Sequence, residues 1–285
     1  MKGKIIFATG LILLSGIFKA NELLACATIA PEAMTKGVQL VREGKPQEAI
    51  VELNKGLADG YNNRGEAYQI AGRWNEAIAD YNKATELNPN DSRPYLGRAN
   101  FYTQLGKFND AVEELNKSIA LNDQFSSWSY PLRAWIHSMR GELDFALADY
   151  NVLVQNAPQN SVYLAQRAFV YEEKGAWDQA LNDFNQALTL NPNISFAYLG
   201  RSLTYEGKGE KKLAQDDLDK VRQMDMKLAD QYIAKVHDLK HYGLIEKARK
   251  YLQYAFTINP ALQNQYADLG KNLEQVEVRK SEGFQ

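Results

Sequence analysis

The sequence predicts an all-α solenoid of about seven helix–turn–helix units, and three observations predict it. Glycines recur at Gly44, Gly72, Gly106, Gly141, Gly175, Gly209 and Gly243, at intervals of 28, 34, 35, 34, 34 and 34 residues. An alanine stands five residues after each of them: Ala49, Ala77, Ala111, Ala146, Ala180, Ala214 and Ala248. On either side of each glycine, apolar and small residues fall at helical spacing. Two linked positions recurring through the whole chain mark a repeated structural unit.

Composition agrees with a globular chain and excludes several classes. Of 285 residues, 45% are hydrophobic and 24% charged, which argues against disorder and against a polytopic membrane protein. The formal charge is -2, and removal of residues 1–27, which carry Lys2, Lys4, Lys19 and Glu22, makes the remainder more acidic. An acidic chain has no global attraction for nucleic acid or anionic lipid. A single cysteine, Cys26, excludes a disulfide framework.

The first segment reads as an address. Lys2 and Lys4 precede an uncharged, mainly apolar run from Ile5 to Phe18, too short for a membrane helix of roughly 20 residues but long enough for a signal-peptide core. Ala25-Cys26-Ala27 offers a small-x-small cleavage site, so residues 1–27 are expected to be a signal peptide and the chain periplasmic or secreted. Leu23-Leu24-Ala25-Cys26 also resembles a bacterial lipobox, which gives the alternative of a lipoprotein signal over 1–25 with Cys26 lipidated. Lys19 and Glu22 sit awkwardly for either reading.

From residue 30 the units follow in order, at 30–57, 58–91, 92–125, 127–160, 161–194, 195–228 and 229–262. In each, a first helix ends at the glycine, which takes a left-handed conformation without a Cβ penalty. The recurrent alanine lets the second helix approach closely. Asn88-Pro89, Asn191-Pro192 and Asn259-Pro260 stop second helices, because a residue before proline is pushed out of the α region. The first unit is short by about six residues, so its second helix is expected to be short. Unit four has an extra residue near Ser126 and carries Pro131 in its first turn, where proline is tolerated. Unit six has Met226 at the usual proline position. Residues 263–285 restart the pattern with Tyr266, Leu269, Gly270 and Leu273. They then turn polar at Glu274, Glu277, Arg279 and Lys280, as a capping helix and tail should.

These units resemble the tetratricopeptide repeat. The second shows Tyr61, Gly65, Tyr68, Gly72, Ala77, Tyr81, Ala84 and Pro89 at the motif positions, and the fifth shows Ala168, Tyr171, Gly175, Trp177, Ala180, Phe184, Ala187 and Pro192. The resemblance implies a right-handed superhelix whose first helices line a concave face that holds a peptide or helix of a partner protein. In that family first-helix positions 2, 5, 9, 12 and 13 face the groove. Carried onto this chain, they give Glu66 and Asn100 in a polar part, then Trp128, Trp135, Phe169, Phe196, Leu199 and Leu203 in an apolar part rimmed by Glu172 and Glu206. Chaperone-binding members require a lysine where this chain has Leu96, which argues against recognition of chaperone tails.

A charge pattern accompanies the repeat. Lys36, Arg64, Arg98, Arg133, Arg167, Arg201 and Lys235 precede the small residue of each first helix. Glu52, Asp80, Glu114, Asp149, Asp183 and Asp217 recur in the second helices, with Asn54, Asn82, Asn116, Asn151, Asn185 and Asp219 two residues further on. Bases and acids that recur together would neutralise one another, so the pattern reads as a structural ladder with the amides tying down backbone, rather than as a row of anion sites.

Catalytic signatures are missing: the sequence has no nucleophile elbow, phosphate-binding loop, dinucleotide fingerprint or HExxH. His237 and His241 are four apart on one helix, a spacing that can bind metal, but a third ligand would have to come from Glu206 or Asp230, and no metal site is assigned. The sequence therefore predicts a non-catalytic adaptor without cofactor, small-molecule substrate or nucleic acid. Its alternative is a lipoprotein scaffold that meets the membrane only through Cys26 and forms a homodimer through its terminal helices.

Overall fold

The computed structural model describes residues 35–37, 39, 40, 42, 43 and 45–273. Residues 1–27, expected from the sequence to be a signal peptide and including Cys26, as well as Gly44 and the polar tail from Glu274, lie outside the described residues. Among the described residues there is no strand. Residues 35–37, 39, 40 and 42 are helical, and the helices that follow are α1 (Pro46–Ile70), α2 (Trp74–Leu87), α3 (Arg93–Gln104), α4 (Phe108–Ala120), a 3-10 turn (Ser126–Ser129), α5 (Tyr130–Met139), α6 (Leu143–Asn156), α7 (Ser161–Glu173), α8 (Trp177–Leu190), α9 (Ser195–Gly207), α10 (Lys211–Met224), α11 (Lys227–His241), α12 (Ile245–Ile258) and α13 (Leu262–Gln265).

The hairpin turns follow from the glycines. Gly72, Gly106, Gly141, Gly175, Gly209 and Gly243 all have φ between 69° and 79°, a range open to glycine and costly for other residues. Gly175 shows what the conformation achieves: its N–H donates to the Glu172 carbonyl at 2.9 Å and Ala176 N–H donates to the Tyr171 carbonyl at 2.9 Å, which satisfies carbonyls the ending helix leaves open. The next helix begins two residues after the glycine. At their far ends α2, α8 and α12 stop one residue before Asn88, Asn191 and Asn259, each ahead of a proline.

Two units depart from expectation. The six residues missing from unit one remove the turn altogether, so its second helix is not short. It fuses with the first helix of unit two into the 25-residue α1, continuous across the expected boundary at 57/58. No proline interrupts this stretch, and Gly56 and Gly60 weaken a helix without ending it. In unit four the extra residue is absorbed by the 3-10 turn Ser126–Ser129, and Pro131 falls in the first turn of α5.

The chain divides into two compact bodies, residues 11–133 and, apart from the first ten residues, 134–285. In the first, α1 packs on α2, α2 on α3 and α3 on α4. Neighbouring units meet where an aromatic ring of one second helix lies on a glycine of the next first helix: a Cβ on Gly97 would come 2.3 Å from the Tyr81 ring. In the second body the same contact recurs between Phe184 of α8 and Gly200 of α9, where a Cβ would fall 2.2 Å from Phe184 Cζ. One core cluster gathers Leu164, Ala168, Ala180, Phe184, Ala187 and Ile194 around α7 and α8. The other is larger and unites α11, α12 and Leu273 with Met139, Leu199, Leu218 and Val221 from α5, α9 and α10.

Gly200→Ala is expected to lower stability by about 1–3 kcal/mol, because the aromatic ring beneath it cannot move without disturbing α8. Gly60→Ala, with nothing within 4 Å of its Cβ position in the middle of α1, is expected to raise stability by about 0.5–1 kcal/mol. Thermal unfolding of the two variants checks both signs.

Candidate functional site

The charge pattern resolves into a register lock. Arg64 donates to both oxygens of Asp80 at 2.6 and 2.7 Å. Arg167 does the same to Asp183 at 2.7 and 3.0 Å, and Arg201 to Asp217 at 2.7 Å twice. Arg98 donates to Glu114 at 2.7 Å and to the Thr85 hydroxyl at 2.6 Å. Asp183 is 1% exposed, so its charge depends on the arginine for compensation. The carboxylates in turn hold Arg64, Arg167 and Arg201 above the ordinary arginine value. The amides do not tie down backbone, as the sequence suggested, but reach the arginine of the following unit. Asn116 accepts from Arg133 at 2.6 Å, Asn151 from Arg167 at 3.0 Å and Asn185 from Arg201 at 2.7 Å. One guanidinium thus fixes its own hairpin and the spacing to the hairpin before it. Asp149 is buried at the corresponding place in α6.

A second link runs between units on another edge. Lys174 pairs with Asp144, and Lys208 with Asp178 at 2.6 Å. Both links end at unit six. Position 251, where the ladder calls for an acid, is Tyr251, whose ring lies 5.6 Å from the Lys235 ammonium. Asp219 pairs with Arg222 of its own helix at 3.2 Å. The positions equivalent to Lys208 and Asp178 hold Tyr242 and Lys212.

The seventh hairpin accordingly lies across the inner face of its own body. Lys247 of α12 pairs with Glu173 of α7, and Lys250 pairs with Glu172 at 3.0 Å. Tyr254 meets Phe169 with ring centroids 6.5 Å apart, and Phe169 also packs edge-to-face on Phe184 at 5.2 Å and stacks on Phe196 at 6.3 Å. Arg222 donates to the Ile258 and Thr257 carbonyls at 3.1 Å, capping the end of α12. Trp135, Phe196 and Leu203 are half-buried against this core. Leu199 is fully buried and is a core residue rather than the groove residue the sequence suggested. Burial pulls the Lys247 ammonium below the ordinary lysine value despite Glu173, and pushes the Tyr254 phenol well upward.

Of the predicted groove residues, the structure therefore brings together Trp135, Phe169, Phe196, Leu199, Leu203 and Glu172, and covers them with α11 and α12. Glu206 is exposed. Glu66, Asn100 and Trp128 belong to the other body. Trp128 stands in the 3-10 turn, 4.9 Å from Phe125, and burial raises the Glu66 carboxyl. The sequence reading missed Glu173, Lys247, Lys250, Tyr251 and Tyr254. It also missed a buried cluster in the first body, where Arg93 is held by Asp91 and Asp59 beneath Phe125. That cluster borders a cavity of about 700 Å³ also lined by Asn88, Asn90 and Asp123. His237 and His241 are exposed on α11. Among the described residues no three His, Cys, Asp or Glu side chains come together to hold a metal.

The tetratricopeptide-repeat family profiles match residues 58–91, 161–194 and 80–113, the first two coinciding with units two and five. Residues 58–113 and 161–194 thus match the tetratricopeptide repeat. No curated protein sequence matches it. Solved structures do. The protein MamA is 25% identical, with a TM-score of 0.53 over 61% of this chain and 94% of that one. A tetratricopeptide repeat protein from Parabacteroides merdae ATCC 43184 is 18% identical, with a TM-score of 0.54 over 86% and 98%. YrrB, described as a TPR protein with an unusual peptide-binding site, is 20% identical, with a TM-score of 0.53 over 61% and 90%. The repeat matches support a protein-interaction scaffold, and repeats of this kind are typically non-catalytic.

Lys235 supplies a pH test of the seventh hairpin. Burial pulls its ammonium down to about 8, with Asp238 opposing, beside the Tyr251 ring that in turn packs on Tyr232 and Tyr254. Between pH 8 and 10 the unfolded chain holds a proton there that the folded chain has released, so stability rises with pH across that window. Above it, the raised phenols of the three tyrosines favour the protonated fold and reverse the slope. Lys235→Met is expected to stabilise by about 1–2 kcal/mol at pH 7, discounted for the part of the side chain that reaches solvent, and by much less at pH 10. Urea midpoints across this range check the trend.

Arg167→Met is expected to cost about 3 kcal/mol or more, because it strands Asp183. Lys36→Met, whose side chain is 65% exposed beside Glu52, is expected to cost under about 1 kcal/mol. Urea unfolding of both variants checks the contrast.

Proposed function

We propose that this chain is a non-catalytic scaffold that holds a helix of a partner protein on the inner face formed by α5, α7 and α9. One observation carries the reading: that face already receives a helix, α12, through paired charges and aromatic contacts from more than seventy residues away in sequence. A surface that binds one amphipathic helix has the pockets and the charges to bind another. Trp135, Phe169 and Leu203 supply the apolar anchors, and Glu172 and Glu173 supply the orientation. The neighbour YrrB, with the peptide-binding site its description names, supports a peptide or helix as the ligand class.

The scaffold is further proposed to be exported, on the strength of Lys2, Lys4, the apolar run Ile5 to Phe18 and the Ala25-Cys26-Ala27 site. Among the described residues no helix is long and apolar enough to cross a membrane. A mature chain beginning at Thr28 by intact mass supports cleavage by a soluble-type peptidase, and a diacylglyceryl Cys26 replaces that reading with a membrane-anchored scaffold.

A photoreactive residue placed at Phe169 is expected to form adducts with the partner in the native host, whereas one at Phe145, 65% exposed on α6, is not. Adducts from position 145 alone would move the binding surface to the outer helices.

A further inference from the structure

The hairpin that covers the inner face is built differently from the repeats it follows. Its base, Lys235, faces Tyr251 in place of an acid, and both ion links that space unit five from four and six from five stop before it. Its first helix carries Val236 where earlier units have Gly65, Ala99, Ala134, Ala168 and Ser202. Unit six holds it through Arg222, which donates to the Thr257 and Ile258 carbonyls, and through Leu218 and Val221; the inner face supplies the ion pairs. The contact face of α12 presents Lys247, Lys250, Tyr251 and Tyr254, which stand at i, i+3, i+4 and i+7 and so share one stripe of the helix. The two lysines meet Glu173 and Glu172, and Tyr254 meets Phe169.

We propose that α11–α12 is a displaceable built-in ligand, and that the inner face is specific for a partner helix of the same chemistry: two lysines three residues apart followed by tyrosines on the same stripe. This rests on the reading of the inner face as a partner site and adds to it the partner's chemistry and its control. A partner must outcompete a segment held at very high effective concentration, so only a helix that matches both the glutamates and the aromatic floor displaces it. An acidic or purely aliphatic helix would meet Glu172 and Glu173 with no compensating charge.

The test uses the full chain and a fluorescent synthetic peptide spanning residues 243–260, read by anisotropy. Lys247→Glu with Lys250→Glu weakens the internal contact and leaves the face intact, so this variant is expected to bind the peptide at least 10-fold more tightly than the unaltered chain. Glu172→Lys with Glu173→Lys is expected to lose that peptide and to bind a version in which its two lysines are glutamates. Equal affinity of the unaltered chain and the first variant, or no binding by either, overturns the proposal. Concentration-dependent dimerisation of the unaltered chain, lost in the first variant, overturns the assignment to a separate partner, because the occupant is then a second copy. Hydrogen exchange on the unaltered chain guards against misfolded variants: amides of α11–α12 should exchange at least 10-fold faster than those of α7–α10, and a common rate overturns displaceability. If photo-crosslinking from position 169 succeeds while the peptide fails, the partner site stands and the built-in ligand falls.

Discussion

Spacing between hairpins depends on one interaction, a guanidinium held between an acid of its own unit and an amide of the unit before. A glycine turn and a small-residue contact form each hairpin without help from its neighbours. They do not say how far the next hairpin lies along the stack. Arg167 and Arg201 say it, each reaching 16 residues forward to an aspartate and 16 residues back to an asparagine. Because Asp183 and Asp217 are buried, the arginine is not an optional surface pair. Without it a carboxylate is left desolvated and alone, the condition under which a salt bridge matters most. Apolar contacts such as Phe184 on Gly200 supply attraction between units, and the charge lattice selects the one register in which that attraction is realised.

Where the lattice stops, the geometry changes. The seventh unit has the glycine turn and Ala248 of its predecessors, so it still forms a hairpin. It has neither of the two repeating links to unit six and keeps only the Arg222 cap on α12 and apolar contacts with α10. An apolar inner face is available nearby, and burying such surface gains roughly 25 cal/mol per Å². The hairpin takes that route, and Leu199, Phe169 and Trp135 lose their exposure to it. Lys235 is the cost. Its ammonium sits over the Tyr251 ring with Asp238 as the opposing charge, and burial pulls it down to about 8. A cover held by a favourable face but carrying an uncompensated lysine is a cover of moderate strength.

How much of this the sequence carried depends on the range of the interaction. The helices, their turns and the ladder pairs are written in a 34-residue period, and each rests on contacts within a unit or between neighbours, so they could be read from Gly175, Ala180, Arg167 and Asp183 directly. The fused α1 was half-legible: the 28-residue spacing announced a missing loop, but whether the chain would shorten the second helix or run straight on depends on packing against α2. The inner-face cover was not legible as a contact, since nothing in a periodic pattern pairs Lys250 with Glu172, 78 residues away. Its cause was nonetheless on the page. Tyr251 breaks the acid series and Tyr242 the lysine series in unit seven, and Lys212 of unit six replaces the aspartate that Tyr242 would face. A repeat that loses both the acid of its own hairpin and the lysine that faces the unit before has lost the ions that set register in its predecessors, and that loss is visible in the sequence. The Arg93–Asp59 contact was hidden differently, because its partners occupy equivalent positions in consecutive units and the motif assigns no role to either.

Release of the last unit couples partner binding to fold stability in a calculable way. If the open form is a fraction f of molecules, a partner's apparent affinity is its intrinsic affinity reduced by that fraction. Each change that loosens the hairpin then tightens partner binding, and each that stabilises it, such as removal of the Lys235 charge, weakens partner binding by the same factor. The ladder in units two to six does not enter this balance, because it is intact in both forms. The arginines and the inner-face glutamates are therefore separable in function even though both are charged residues on first helices: the former set the rigid frame against which the hairpin opens, and the latter set what can take its place.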